Sequence, residues 1–212
     1  MGLDPDQLAK AAEAFLKSGF NRPTMTELAV ACGFSRRALY YHYRNKEELF
    51  RDVVRYQNER AMYAGWTAGM SVLMEGGDAI DVITALLDTR FGANRRIVAN
   101  SPHALELADA VFRLCDDIIV ELQVRLQEDL VKMIEMLHTA GKLTLQNDVN
   151  KDELAAMLAA AVRGVNQTRP HLKDAEFQPR YHSIIKAILR GSAKMIAKDR
   201  RRPEDAISGI QR

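Results

Sequence analysis

The chain reads as all-α. Apolar residues recur at intervals of three and four in every long segment, helix start and stop signals fall between those segments, and no stretch shows the period-two alternation of a half-buried strand. About nine helices are expected, three short ones at the N-terminus and the rest in a larger helical part. The first helix runs from Asp6 to Lys17, with Leu8, Ala11, Ala12, Phe15 and Leu16 as its inner stripe. Two short helical patterns follow on either side of Gly33-Phe34-Ser35.

From Lys46 the pattern Leu49, Phe50, Val53, Val54, Tyr56, Gln57, Tyr63, Trp66 predicts one long helix ending near Met74, where Glu75-Gly76-Gly77 breaks it. Asp78 restarts a helix carrying Ile80, Val82, Ile83, Leu86, Leu87 and Phe91. Asn100-Ser101-Pro102 is the next boundary, with Pro102 suited to a first helical position. The run from His103 to Ala140 is long for one globular helix, so a bend or break is expected near Leu114 to Asp117, and Gly141 stops it. Asn150 caps a helix through Glu153, and its LAAMLAAAV segment is apolar enough to pack on both sides. Pro170 and Pro179 bracket a loop before the last amphipathic helix, with Tyr181, Ile184, Ile185, Ile188, Leu189 and Ala193. The tail from Lys198 is polar and expected to fray.

Composition narrows the function classes. The 212 residues are 47% hydrophobic and 27% charged, a globular balance rather than a disordered one. Net charge is only +2, so any nucleic-acid affinity must come from local charge. Cys32 and Cys115 lie far apart with no metal-ligand neighbours, which fits a reducing compartment and gives no disulfide framework. The start MGLDPDQ has no basic, apolar signal, and the longest uncharged stretch, Ala61 to Met74, is 14 residues and too short to span a bilayer. A cytoplasmic protein without membrane contact is expected.

Residues 24 to 46, TMTELAVACGFSRRALYYHYRNK, carry the chemistry. Thr24 with Glu27 is a capping box, and Met25, Leu28, Ala29 and Cys32 face inward. Gly33 suits the positive-φ position that closes this helix, and Ser35 caps the next. Ala38, Leu39 and Tyr43 supply the buried side of that second helix, leaving Arg36, Arg37, Tyr40, Tyr41 and His42 to face outward. No acidic residue lies between Glu27 and Glu47, while Arg36, Arg37, Arg44 and Lys46 contribute four positive charges. A helix-turn-helix with such a surface suits phosphates and base edges. Asn45 caps the following helix, with Glu48 completing a second capping box.

This segment is similar to the DNA-binding domain of TetR-type (TetR/AcrR) transcriptional regulators, from about residue 7 to residue 56. The resemblance rests on Ala14-Phe15, Gly19-Phe20, Thr24, Leu28-Ala29, Cys32-Gly33-Phe34-Ser35, Leu39-Tyr40, His42-Tyr43, Asn45-Lys46 and Leu49 at fixed spacing. Arg37-Ala38 stands where the family often has Gly-Thr before the Leu-Tyr pair, a difference at a place where a small residue lets backbone approach DNA. The resemblance implies DNA contacts from Thr24, Thr26, Ser35, Arg36, Arg37, Tyr40, Tyr41, His42 and Lys46. It also implies residues 1–46 as the DNA-binding domain, 47–200 as an effector-binding and dimerisation domain, and 201–212 as a tail.

A single helix-turn-helix contacts few bases, so a homodimer on a palindromic operator of double-stranded DNA is expected. The resemblance implies a four-helix interface from the last two strong helices, with Leu158, Ala161, Ile184, Ile188 and Leu189. In a monomer the same residues would simply be core. The candidate lining of an effector cavity is Trp66, Met70, Met74, Phe91, Phe112, Cys115, Met133, Leu137 and His138, with Arg90 and Arg95 as further polar groups. The effector is a small molecule whose identity the residues do not carry. Helix 46–74 is the one element that visibly joins the reading unit to this cavity.

An enzyme is disfavoured. There is no phosphate-cradling glycine loop, no H-E-x-x-H helix and no G-x-S-x-G elbow, and no cofactor, metal ligand set or catalytic residue is expected. Asp116, Asp117 and Glu121 read as a solvated face. A ligand-responsive regulator, most simply a repressor, is the expected function; an activator or a ligand-blind DNA-binding protein would use the same helix-turn-helix.

Overall fold

The computed structural model describes residues 2–146, 148–167 and 173–195. Among these there are nine helices and one two-stranded antiparallel sheet. Pro170 and the tail 201–212 lie outside the described residues. No helix among the described residues is long and apolar enough to cross a membrane.

Helix α1, Pro5–Ser18, starts at Asp4, whose carboxylate accepts the Gln7 N–H at 2.9 Å while the Gln7 side chain accepts the Asp4 N–H at 3.0 Å. Leu8, Ala11, Ala12 and Phe15 of its expected stripe are buried, and Leu16 is half-buried. Helices α2, Met25–Ala31, and α3, Arg36–His42, follow, and α4, Lys46–Met74, is the predicted long helix. Asn45 accepts the Glu48 N–H at 2.8 Å, but the reciprocal bond of the expected capping box is displaced: Glu48 accepts from the Arg44 N–H at 2.8 Å.

Helix α5, Ala79–Ala99, is capped by Asp78 and packs closely along α4. Gly65 and Gly69 make that approach possible. A Cβ on Gly65 would lie 2.7 Å from the Leu86 carbonyl oxygen, and one on Gly69 would lie 3.1 Å from the Leu86 Cβ. The long periodic run divides into α6, Ala104–Leu114, and α7, Asp116–Thr139, with the break at Cys115 where it was expected. Pro102 does not open α6. Ser101 Oγ accepts the His103 N–H at 3.0 Å and donates to the Leu16 carbonyl at 2.7 Å, and this turn holds Pro102 two residues short of the helix.

Helix α8, Lys151–Asn166, buries only one face, Leu154, Ala155, Leu158, Val162 and Val165; Ala156, Met157 and Ala160 are exposed, against the expectation of packing on both sides. Alanine is short enough that its exposure carries little penalty. Helix α9, Asp174–Ser192, contains Pro179 rather than starting after it, a correction to the expected loop boundary. Pro179 is exposed and early in the helix, so the carbonyl it leaves without an N–H lies within reach of water.

The absence of strands is corrected in one place. Strands β1, Leu143–Leu145, and β2, Ala193–Met195, pair antiparallel with Leu143 opposite Met195 and Leu145 opposite Ala193. Three residues are too few to display alternation, and Ala193, expected in the last helix, begins β2.

Two cores organise the molecule. The first joins α1–α3 to the first half of α4, α6 and the start of α7, around Leu28, Leu39, Leu49, Leu107 and Ile118. Phe15, Phe20 and Phe50 meet there, with ring centroids 5.0–6.2 Å apart. The second joins α5, the rest of α7, α8 and α9 around Leu87, Leu130, Met133, Leu158, Tyr181 and Leu189. Helix α7 thus runs through both cores, so α4 is not alone in linking the reading unit to the body of the protein.

Candidate nucleic-acid interface

Helix α2 is short, and side chains close its N-terminal end. Thr24 Oγ1 accepts the Glu27 N–H at 3.3 Å, and Glu27 accepts from the Thr24 N–H at 2.8 Å and from its hydroxyl at 2.9 Å. These bonds hold the Glu27 carboxyl below its ordinary range, with the backbone bond from Thr24 the largest cause. Gly33 takes φ +79°, a conformation strained for any residue with a Cβ, and turns the chain toward α3. Ser35 Oγ then accepts the Ala38 N–H at 3.2 Å and starts α3.

A two-turn helix cannot stand alone, and α3 is held by its buried side. Leu39 has no exposed surface and is packed in the first core. Just past the helix, the Tyr43 hydroxyl donates to Asp52 Oδ2 at 2.6 Å and accepts the Leu3 N–H at 3.2 Å. Burial, followed by the bond to Asp52, pushes the Tyr43 phenol well above its ordinary range, so it stays a neutral donor. The N-terminal arm, the end of α3 and the first turns of α4 are thereby tied at one oxygen.

The opposite side of α3 is solvent-facing. Arg36, Arg37, Tyr40 and Tyr41 are exposed, Tyr41 at 86%. The Arg36 guanidinium lies 5.4 Å from the Tyr40 ring centroid, and Ser35, Arg37, Ala38, Tyr40 and Tyr41 line one shallow groove. His42 is half-buried, its ring 5.5 Å from that of Phe34 and 5.6 Å from that of Tyr41. Thr24 and Thr26 are exposed at the start of α2. Lys46 is occupied: its Nζ donates to the carbonyls of Asn21 at 2.9 Å and Pro23 at 3.2 Å, 4.8 Å from the Phe20 ring centroid. This clasp holds the loop immediately before Thr24. Its partners stand 25 and 23 residues away, so no local pattern could reveal it.

The segment that carries these two short capped helices resembles known proteins. Residues 8–53 match the family profile of bacterial regulatory proteins of the tetR family. The N-terminal domain belongs to the TetR family. The HTH-type transcriptional repressor BepR of Brucella suis biovar 1 (strain 1330) is 36% identical over 47 residues, 22% of each chain. The match therefore spans about a fifth of that curated relative's length. Solved structures extend the likeness of fold over nearly the whole chain. A transcriptional regulator from Cytophaga hutchinsonii ATCC 33406 has a TM-score of 0.65 at 19% identity, covering 88% of this chain and 96% of that one. SmeT, the repressor of the Stenotrophomonas maltophilia multidrug efflux pump SmeDEF, has a TM-score of 0.59 at 16% identity, covering 91% of each chain. SmeT has also been solved as a triclosan complex, with a TM-score of 0.56 at 18% identity over 90% of this chain and 91% of that one.

Beyond the TetR domain, the structure does not bring the nine candidate effector residues together. Met74 and Phe112 are 81% and 77% exposed. Cys115 is packed in the first core, Met133 and Leu137 in the second, and Trp66, Met70 and Phe91 lie half-buried against the second. His138 lies 3.2 Å from the Leu143 carbonyl. The further polar candidates have protein partners. Arg90 is buried and donates to the Leu122 carbonyl at 2.9 Å, its pKa pulled down to about 10 by burial. Arg95 lies 3.6 Å from the Phe177 ring centroid and pairs with Asp174 at 3.2 Å.

The interface candidates divide by helical phase. Leu158 and Leu189 have no exposed surface and belong to the protomer's own core, a correction to their expected place in a dimer contact. Ala161, Ile184 and Ile188 are half-buried at its edge. Met157, Ala160 and Gly164 are among the α8 residues that face away from the core, and they are exposed.

Proposed function

We propose that the chain is a transcriptional repressor that binds a palindromic operator as a homodimer and leaves it when a small-molecule effector binds. The observation that carries this reading is α3 itself: a capped helix anchored by Leu39, whose outward residues are two arginines and two tyrosines. Such a helix offers bidentate donors to guanine and flat apolar surface to thymine methyls at the major groove, with threonine and serine hydroxyls nearby for phosphates.

Geometry supports dimerisation. Two copies on a two-fold axis read half-sites about 34–36 Å apart or a multiple of that distance, which one copy cannot do. The outer face formed by Met157, Ala160, Ala161 and Gly164 on α8 with Ile184 and Ile188 on α9 supports a four-helix contact, its small residues permitting close approach. The family of the N-terminal domain, and a fold shared with a repressor that has been solved with triclosan, support repression and effector release.

Selection of bound sequences from a random DNA pool tests the reading. An inverted repeat with its two halves about one helical turn apart is expected. A pool that stays unenriched refutes operator binding, and enrichment of a single unrepeated site refutes the dimer.

A further inference from the structure

A partly open cavity of about 270 Å³ lies where the DNA-binding domain meets the rest of the protein, and none of the nine sequence-derived effector candidates lines it. Phe15 of α1, Phe50, Val53 and Val54 of α4, and Leu107 and Val111 of α6 form its walls, with α5 and α7 closing the far side. Gln57, Asn58 and Asn94 stand along it. Not one lining side chain is ionisable. The second core, by contrast, is filled by fully buried leucines and methionine, and the residues expected to hold an effector there are packing against one another.

We propose that this joint cavity is a binding site for a small, neutral, mostly apolar molecule with one hydrogen-bonding group. On the regulator reading given above, that molecule is the effector. Three observations define the ligand. The volume lies just below the range of drug-sized pockets, which sets a small ligand. The uncharged lining gives a charged ligand no partner for the hydration it would lose, which sets neutrality. The carboxamides set one polar end. Asn58 is held by the Val54 carbonyl at 2.8 Å, but the Asn94 side chain reaches Asn58 only at 3.4 Å, the long limit of a hydrogen bond. A hydroxyl or amide that inserts there makes shorter bonds to Asn94 than Asn58 does. Position supplies the consequence. Helix α1 packs against α2 as well as lining the cavity, so a molecule that wedges α1 from α4 and α6 shifts the reading unit relative to the body.

The test is a fluorescence titration of the full chain, without DNA, using N-phenylnaphthylamine as the neutral probe and its sulfonated counterpart, anilinonaphthalene sulfonate, as the charged one. Saturable binding of the neutral probe is expected, with the sulfonate at least about tenfold weaker because its charge finds no counter-charge. Val111→Trp fills the cavity from its half-exposed α6 wall and should weaken the neutral probe at least about tenfold, its helical circular dichroism being retained. Methyl spectra of the wild-type chain read the site without relying on any variant. The probe should shift Val53, Val54 and Val111 and leave Leu130 and Leu158 in place. No saturable binding overturns the proposal, as do equal affinities in a folded Val111→Trp chain or shifts confined to the second core. Sequence selection judges the regulator reading separately: a chain that enriches no DNA yet shows these methyl shifts loses that reading and keeps the site.

Discussion

Arg51 and Asp117 meet side by side across α4 and α7, Nη1 to Oδ1 at 2.7 Å and Nη2 to Oδ2 at 2.6 Å. The pair is the first rung of a ladder. Arg55 reaches Glu121 at 2.6 Å and Arg125 reaches Glu59 at 3.5 Å, each pair separated by 66 residues. A constant separation over steps of four means that the two helices run parallel and in register. Exposed pairs of this kind add little stability each, and their consequence is alignment: the helix that starts at the DNA-binding domain is keyed to the helix that runs through both cores.

The ladder has a pH signature. Hydrogen bonding to Arg51 is the main cause that lowers the Asp117 pKa from 3.8 to about 2. A carboxylate with a depressed pKa contributes stability above its unfolded value and loses it as pH falls through the folded one. Wild-type protein should therefore lose more melting temperature between about pH 4 and pH 2 than Asp117→Asn does. Parallel melting curves over that window would show that the pair has no role in the folded state.

Tyr43→Phe removes one hydroxyl that serves two partners. The Leu3 N–H loses its acceptor and Asp52 its donor, at a site 5% exposed. A loss of about 1–3 kcal/mol is expected by urea unfolding, together with faster hydrogen exchange at the Leu3 amide. Unchanged exchange there would mean that the N-terminal arm is held by packing alone.

Lys46→Ala separates two roles of one ammonium. If Lys46 also meets a phosphate, the variant binds all DNA sequences about equally less well, and its salt slope falls by about one unit. The clasp on the Asn21 and Pro23 carbonyls predicts a second effect in the absence of DNA, faster exchange in the loop that leads to α2. A variant with the wild-type slope and a loosened loop would assign Lys46 to the clasp only.

The exposed arginines of α3 should read sequence. Replacing the arginine that reaches guanine by alanine should weaken operator binding by about 1–3 kcal/mol and relax one position per half-site. Arg36→Ala and Arg37→Ala, compared on the selected operator and its single-base variants, identify it. Full sequence preference in both would move the readout to DNA shape.

Gly164→Phe tests the dimer without disturbing the protomer, because a Cβ at Gly164 meets no atom within 4 Å. Monomers with a wild-type helical spectrum are expected by light scattering, with operator binding lost. Ile188→Asp should have the same effect but also touches the edge of the second core. A dimeric Gly164→Phe chain would remove this face of α8 from the interface.

Most of the helical framework was legible in the chain because its signals are local. Caps at Thr24, Ser35, Asn45, Asp78 and Asn150, the break at Cys115 and the inner stripe of α1 each depend on residues within a turn or two of one another. The outward face of α3 was legible for the same reason: once Leu39 is buried, helical phase exposes Arg36, Arg37, Tyr40 and Tyr41.

What only the tertiary structure decided depends on distant pairs. Apolar periodicity shows that Met133, Leu137 and Leu158 face inward, but not whether they face a cavity, a partner or one another, and packing made them core. The strands β1 and β2 exist because the ends of α7 and α9 happen to meet. Lys46 on the Asn21 carbonyl, Arg51 on Asp117, and the cavity between α1, α4 and α6 all join residues from separate elements of the chain. Secondary structure follows from neighbours a few residues apart, whereas the register of helices, and with it every cavity and clasp between them, is set only when the whole chain closes on its core.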